Sequence, residues 1–134
     1  NCDQWNDYSA EHFLSYVRRM NADGAVLTFR GSGTQFSYLQ QYDDGVVSAV
    51  AEKEPISRDA LAGHFYWREA QACFKCIRQM IDAEQTVNGE YYLAPAFNQM
   101  ILAGARVLAY QVARHVSMNT PEDLKEALVE GVFA

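Results

Sequence analysis

Glu52-Lys53 is a neighbouring acid and base at the end of an apolar stretch, just before a loop that contains Pro55. Placed together at a strand end, such a pair can bind a sugar hydroxyl through the carboxylate and a phosphate through the ammonium; an exposed strand end carries the same residue types with no ligand at all. Asn88-Gly89-Glu90-Tyr91-Tyr92 sets an acid and two aromatics directly after a turn dipeptide, which reads either as a binding loop or as a turn into a half-buried aromatic segment. Asp3 stands where an earlier strand would end, a place from which a carboxylate in an open α/β sheet can hold Mg²⁺ and phosphate. A solvated Asp near a terminus is the plainer reading.

Other candidates carry less. Cys73 and Cys76 spell C-x-x-C, but zinc needs four ligands and no second cysteine pair exists. A redox pair would sit at a helix start, where the dipole lowers the thiolate pKa. This pair falls inside a helical pattern, with Cys73 on the expected apolar face, so core packing is the expectation. His12, His64 and His115 share no ligand spacing. Gly31-Ser32-Gly33 lacks the Lys-Ser/Thr ending of a phosphate loop and reads as a hairpin loop. No nucleophile elbow is present.

The elements that position these residues follow from periodicity and punctuation. Ser9 caps a helix whose apolar residues Phe13, Leu14, Val17 and Met20 recur at helical spacing. Gly24 to Phe29 is a buried-strand candidate. Phe36 to Tyr42 and Val46 to Glu52 flank Asp43-Asp44-Gly45, a hairpin signal. Gly63 to Trp67 is a short aromatic strand, and Glu69 to Ala83 a helix with Cys73, Phe74, Ile77, Met80 and Ile81 on its apolar face. Pro95 opens a helix that Gly104 stops, Val107 to Val112 alternates as a strand, and Thr120-Pro121-Glu122-Asp123 caps a final helix over Leu124, Ala127 and Leu128. Strands interleaved with helices predict an α/β domain with a mixed sheet.

Composition bounds the rest. The 134 residues suit one domain spanning 1–134, and 17 acidic against 11 basic residues give a net charge of −6. A chain so charged offers no basic face to nucleic acid. Its apolar runs are too short to span a bilayer, and no basic start with an apolar stretch marks a leader. An odd set of three cysteines fits a reducing, cytoplasmic setting. The opening Asn1-Cys2-Asp3-Gln4-Trp5 reads as a cut, so the chain is expected to be the C-terminal part of a longer domain.

In order along the chain, Asn1-Cys2-Asp3-Gln4, Asp23-Gly24-Ala25, Ala51-Glu52-Lys53 with Pro55-Ile56-Ser57, Ala62-Gly63-His64-Phe65-Tyr66, Val87-Asn88-Gly89-Glu90-Tyr91-Tyr92-Leu93-Ala94-Pro95 and Thr120-Pro121-Glu122-Asp123-Leu124 resemble the sugar-phosphate-binding half of a sugar-phosphate nucleotidyltransferase. The resemblance implies a three-layer α/β/α Rossmann-like fold shared with A-type glycosyltransferases. It implies joining of a nucleoside triphosphate to a sugar 1-phosphate with release of pyrophosphate, assisted by Mg²⁺. Asp3 is similar to the family's metal-binding Asp, Glu52 to the acid that grips sugar hydroxyls, and Lys53 to the lysine that meets the sugar phosphate. Gly63 resembles the glycine that lets the sugar approach the backbone, while Glu90 and Tyr92 lie where relatives contact the sugar.

Two departures qualify these implications. The family's glycine-rich nucleotide loop is absent from this sequence, so no turnover is expected of the chain alone. Near the last strand, where relatives place a second metal-binding Asp or Asn, His115-Val116-Ser117-Met118-Asn119-Thr120 offers Ser117, a poor Mg²⁺ ligand. Two rivals follow: a non-catalytic module that binds a sugar phosphate or a partner, and a glycosyltransferase of the same fold. Trp5 at the third position of an Asp-x-Asp motif counts against the second. Lacking its early strands, such a half-domain should self-associate or complete its sheet with another polypeptide.

Overall fold

The computed structural model describes residues 3–132; Asn1 and Cys2 of the first motif lie outside them. The elements run β1 (Gln4–Asp7), α1 (Ala10–Arg19), β2 (Gly24–Arg30), β3 (Ser37–Gln41), β4 (Val47–Glu52), β5 (Asp59–Trp67), α2 (Ala70–Asp82), α3 (Ala96–Leu102), β6 (Val107–Gln111), β7 (Arg114–Ser117) and α4 (Pro121–Val129). Five strands form a mixed sheet in the order β4-β3-β5-β2-β6. Only β2 and β6 run parallel, in line with the helical crossover between them.

Strand alternation divides the core into two layers. Ala25 and Leu27 of β2, with Leu108 of β6, face α1 through Phe13 and Val17. Val26 and Val107 face the opposite way, onto Cys76 and Met80 of α2 and Phe97 and Met100 of α3. Helices on both faces of a mixed sheet make the three-layer α/β/α arrangement that the family resemblance implied. Burying both faces of β2 explains its near-continuous apolar run.

Several local expectations are corrected. Gly31-Ser32-Gly33 does not close a hairpin, because β2 and β3 lie on either side of β5. The stripe of α2 is rotated: Cys76 and Met80 are buried, whereas Phe74 and Ile81 are exposed. Cys73 is therefore only half-buried, and Cys76 is the core thiol; burial raises the pKa of both. In α4, Ala127 is buried while Leu124 and Leu128 face outward. β5 begins at Asp59, four residues before the expected start. There the buried Asp59 carboxylate takes an ion pair from Arg30 at 2.9 Å and a hydrogen bond from Gln41 at 3.1 Å, which is how a charged residue can start a core strand.

A second, two-stranded sheet pairs β1 antiparallel with β7, from Gln4 opposite Ser117 to Asp7 opposite Arg114. Side chains seat this ribbon on the main sheet. Gln4 donates to the Ala62 carbonyl at 2.7 Å, and the Asn6 amide reaches Ala62 O and His64 Nδ1, both at 3.1 Å. The Asn6 carbonyl lies 2.7 Å from His115 Nδ1, and the His115 ring stacks on Phe29. At the β4 edge of the main sheet, Asn98 of α3 acts as a neighbouring strand would: its Oδ1 accepts from Val50 N at 2.9 Å, and its Nδ2 donates to Val50 O at 2.8 Å.

Candidate functional site

The end of β4, the bulge of β5, the segment before α3 and the start of β1 surround a cleft of about 380 Å³. Glu52, Lys53, Gly63 and Tyr92 all line it, together with Ser37 and Asn119. Glu52 is the last residue of β4 and sits opposite Ser37 in the hairpin register. The Ser37 hydroxyl donates to the Glu52 carboxylate, which fixes one oxygen. Ser37 is absent from the sequence expectations: counting back from the Asp43-Asp44-Gly45 turn pairs it with Ala51, and only the register shift between Gln40 and Gln41 brings it opposite Glu52.

Lys53 follows with φ 56, a left-handed conformation that non-glycine residues rarely adopt. Its N–H still bonds Phe36 O at 3.0 Å, so the ladder holds the turn. Beside the end of β4, in the segment before α3, Asn88 (φ 53) and Gly89 (φ 79) form a tight turn bridged by Val87 and Glu90. Two successive positive φ angles are what an Asn-Gly dipeptide supplies. Glu90 leaves that turn and Tyr92 follows two residues on. The Lys53 ammonium donates to the Tyr92 hydroxyl, which donates in turn to the Glu90 carboxylate. The ammonium also lies 3.9 Å from Glu90 Oε2 and 4.5 Å from the Tyr92 ring centre. Hydrogen bonding to Tyr92, ahead of the nearby negative charges, holds the Lys53 pKa above the ordinary lysine value.

Gly63 (φ 68) sits in a bulge of β5: Val26 pairs with Phe65 and Thr28 with Leu61, so three residues of β5 oppose one of β2. A left-handed glycine at a bulge presents bare backbone to the cleft. From Leu61 to Trp67, β5 pairs with β2 alone among the described residues, since β3 reaches only Asp59 and Ala60.

The remaining candidates separate. Asp3 is exposed and lies immediately before β1, so it begins a strand where the sequence suggested the end of one. Its carbonyl accepts from Met118 N at 2.7 Å, which sets it beside Gln4, Ser117 and Asn119 at the rim; Asp3 itself does not line the cleft. Glu90 stands behind Tyr92, 68% exposed in its side chain. Cys73 and Cys76 lie elsewhere, with Cys76 lining a groove of about 250 Å³ between α2 and α3. Among the described residues no group of three or more His, Cys, Asp or Glu could hold a metal ion. No helix among them is long and apolar enough to cross a membrane.

The cleft thus combines a tethered carboxylate, an oriented ammonium and exposed backbone, the set that recognises a polyhydroxyl compound bearing an anionic group. The architecture is a three-layer α/β/α, Rossmann-like mixed sheet. A nucleoside-diphosphate-sugar pyrophosphorylase from Vibrio cholerae RC9 is similar in structure, with a TM-score of 0.78 and 21% identity over 95% of this chain and 53% of its own. A protein described as a glucose-1-phosphate thymidylyltransferase from Bacillus anthracis, in complex with sucrose, matches with a TM-score of 0.76 and 15% identity, over 98% of this chain and 52% of its own. The chain therefore spans about half the length of these neighbours. No protein-family model and no curated protein matches the sequence.

Proposed function

We propose that this chain is the sugar-phosphate-binding half of a nucleotidyl transfer site, which joins a nucleoside triphosphate to a sugar 1-phosphate and releases pyrophosphate. The observation that carries the reading is the placement of Glu52 and Lys53, adjoining in sequence, in one cleft with the bare backbone of Gly63. Glu52 accepts hydrogen bonds from ring hydroxyls, and Lys53 meets the phosphate. A sugar lying against Gly63 needs no side chain displaced. The phosphate oxygen of the bound sugar is the nucleophile toward the α-phosphorus, so the task of this half is to hold it in line.

Mg²⁺ supplies neutralisation of the charge that develops on the phosphates. Asp3 would hold it: its exposed carboxylate, just outside the cleft lining, is a hard oxygen ligand of the kind that shares Mg²⁺ with substrate phosphates. The edge of β5 beyond Gly63, from His64 to Trp67, would take an extended segment of another polypeptide, or of a second copy, and complete the sheet. A dilution series in the analytical ultracentrifuge tests that point; a compact monomer at every concentration would overturn it.

Calorimetric titration with α-D-glucose 1-phosphate tests the binding reading. Lys53→Ala should weaken binding roughly tenfold to a hundredfold, the span of a charge-assisted hydrogen bond. Glu52→Gln should blur discrimination among sugar 1-phosphates, because one acceptor becomes a donor. Equal binding of every sugar phosphate by wild type and Lys53→Ala would sink the reading.

A further inference from the structure

We propose that Tyr92 is a positioning residue, which aims the Lys53 ammonium into the cleft, and that Glu90 acts on Lys53 through the Tyr92 hydroxyl and makes no contact with substrate. The inference rests on the sugar-phosphate reading for its purpose but not for its geometry.

The argument starts from proton count. A tyrosine hydroxyl has one proton to donate, and Tyr92 donates it to Glu90. Its oxygen therefore meets Lys53 as an acceptor, and the ammonium is the donor. The direct separation of Lys53 Nζ from Glu90 Oε2 is 3.9 Å, beyond hydrogen-bonding distance, so apart from its charge the carboxylate acts on the ammonium by orienting the hydroxyl between them. Lysine has three N–H groups, and one is engaged by Tyr92; the other two are available to phosphate oxygens.

Lys53 needs such a guide. Its side chain is a flexible four-carbon stem whose ordering costs rotamer entropy. The left-handed backbone at Lys53 directs the stem away from the course of β4, and Tyr92 meets it at the far end. The ring adds a cation–π contact at 4.5 Å, so Tyr92 fixes the ammonium both by its face and by its hydroxyl. Glu90 is mostly exposed and does not line the cleft, whereas Tyr92 does, which suits an indirect role for the acid.

Three variants separate the contributions. Tyr92→Phe keeps the ring and removes the hydroxyl; Glu90→Gln removes the charge; the double variant asks whether the second acts through the first. In protein labelled with ¹³C at lysine Cε, the Lys53 resonance is assigned by its loss in Lys53→Ala and followed against pH. Tyr92→Phe should lower the Lys53 titration midpoint and weaken α-D-glucose 1-phosphate binding about three- to tenfold, the value of an ordinary hydrogen bond, with the thermal midpoint unchanged. Glu90→Gln should do the same more weakly, and in the Tyr92→Phe background its effect should shrink to what the direct charge at 3.9 Å supplies. An unchanged Lys53 titration in Tyr92→Phe would overturn the inference. So would a Glu90→Gln effect of equal size in both backgrounds. If wild type binds no glucose 1-phosphate while Tyr92→Phe still shifts the Lys53 titration, the sugar-phosphate reading fails and the positioning role stands.

Discussion

The cleft and the groove between α2 and α3 are built on opposite principles. The groove lies between regular helices, where Cys76 and Met100 sit in ordinary helical conformation at helical spacing. The cleft is assembled where regularity stops: a strand end at Glu52, left-handed residues at Lys53, Asn88 and Gly63, and a bulge in β5. Left-handed backbone costs roughly 1–2 kcal/mol for a side-chain-bearing residue. The cleft therefore draws on stability supplied by the helix-packed layers. The contrast teaches where each kind of substitution should be felt.

The largest effect belongs to the packed side. Phe97 is fully buried, stacks on Trp67 with ring centres 4.3 Å apart, and touches the space beside Gly24. Phe97→Ala should cost about 3–5 kcal/mol in urea unfolding; a loss under about 1 would mean that the layer does not carry the fold. Next comes Gly63, which belongs to both regions. Gly63→Val forces a β-branched residue to φ 68 and should cost about 1–3 kcal/mol while blocking the cleft. Gly63→Asn, which tolerates that conformation, should recover most of the stability; equal losses in the two variants would show that the bulge imposes no strain.

The two cysteines sharpen the comparison within one helix. Cys76→Ser should cost about 1–3 kcal/mol, the range for a buried polar group without a good partner, and Cys73→Ser distinctly less. Equal midpoints for the two variants would contradict the rotated face of α2. The smallest effect is expected at His115. Burial, and then the charge of His64, hold its pKa below the ordinary value, so the unfolded chain binds this proton more readily. Stability should therefore fall as pH drops through the ordinary histidine value of about 6.5, and level off below the folded pKa. His115→Gln should flatten that slope; an unaltered profile would place the dependence elsewhere.

How much of this was legible from sequence depended on range. The Ser9 cap of α1, the hairpin around Asp43-Asp44-Gly45 and the Thr120 cap of α4 rest on residues a few positions apart, and each stands as read. The ribbon of β1 and β7 was missed because its partners lie more than a hundred residues apart, and neither strand alternates clearly. The stripe of α2 was misplaced because its apolar residues cover more than half the circumference, and only tertiary packing chooses Cys76 and Met80 over Phe74 and Ile81. For the site, residue types pointed to Glu52, Lys53 and the segment with Tyr92, and the family resemblance added Gly63. The tethering of Glu52 by Ser37 and the relay through Tyr92 depend on register and rotamer, which composition does not encode.

The clasp of Asn98 on Val50 has a mechanical consequence. Val50 stands two residues before Glu52, and the chain that leads into α3 carries Tyr92. One side-chain amide thus couples the strand that bears the acid to the helix that follows the aromatic, so this bank of the cleft moves as a single jaw. Widening for ligand entry then falls to the opposite bank, where β1 and β7 rest on the sheet through Gln4 and Asn6. Hydrogen exchange should find the Val50 amide slow and the ribbon amides fast; the reverse order would place the hinge under α3.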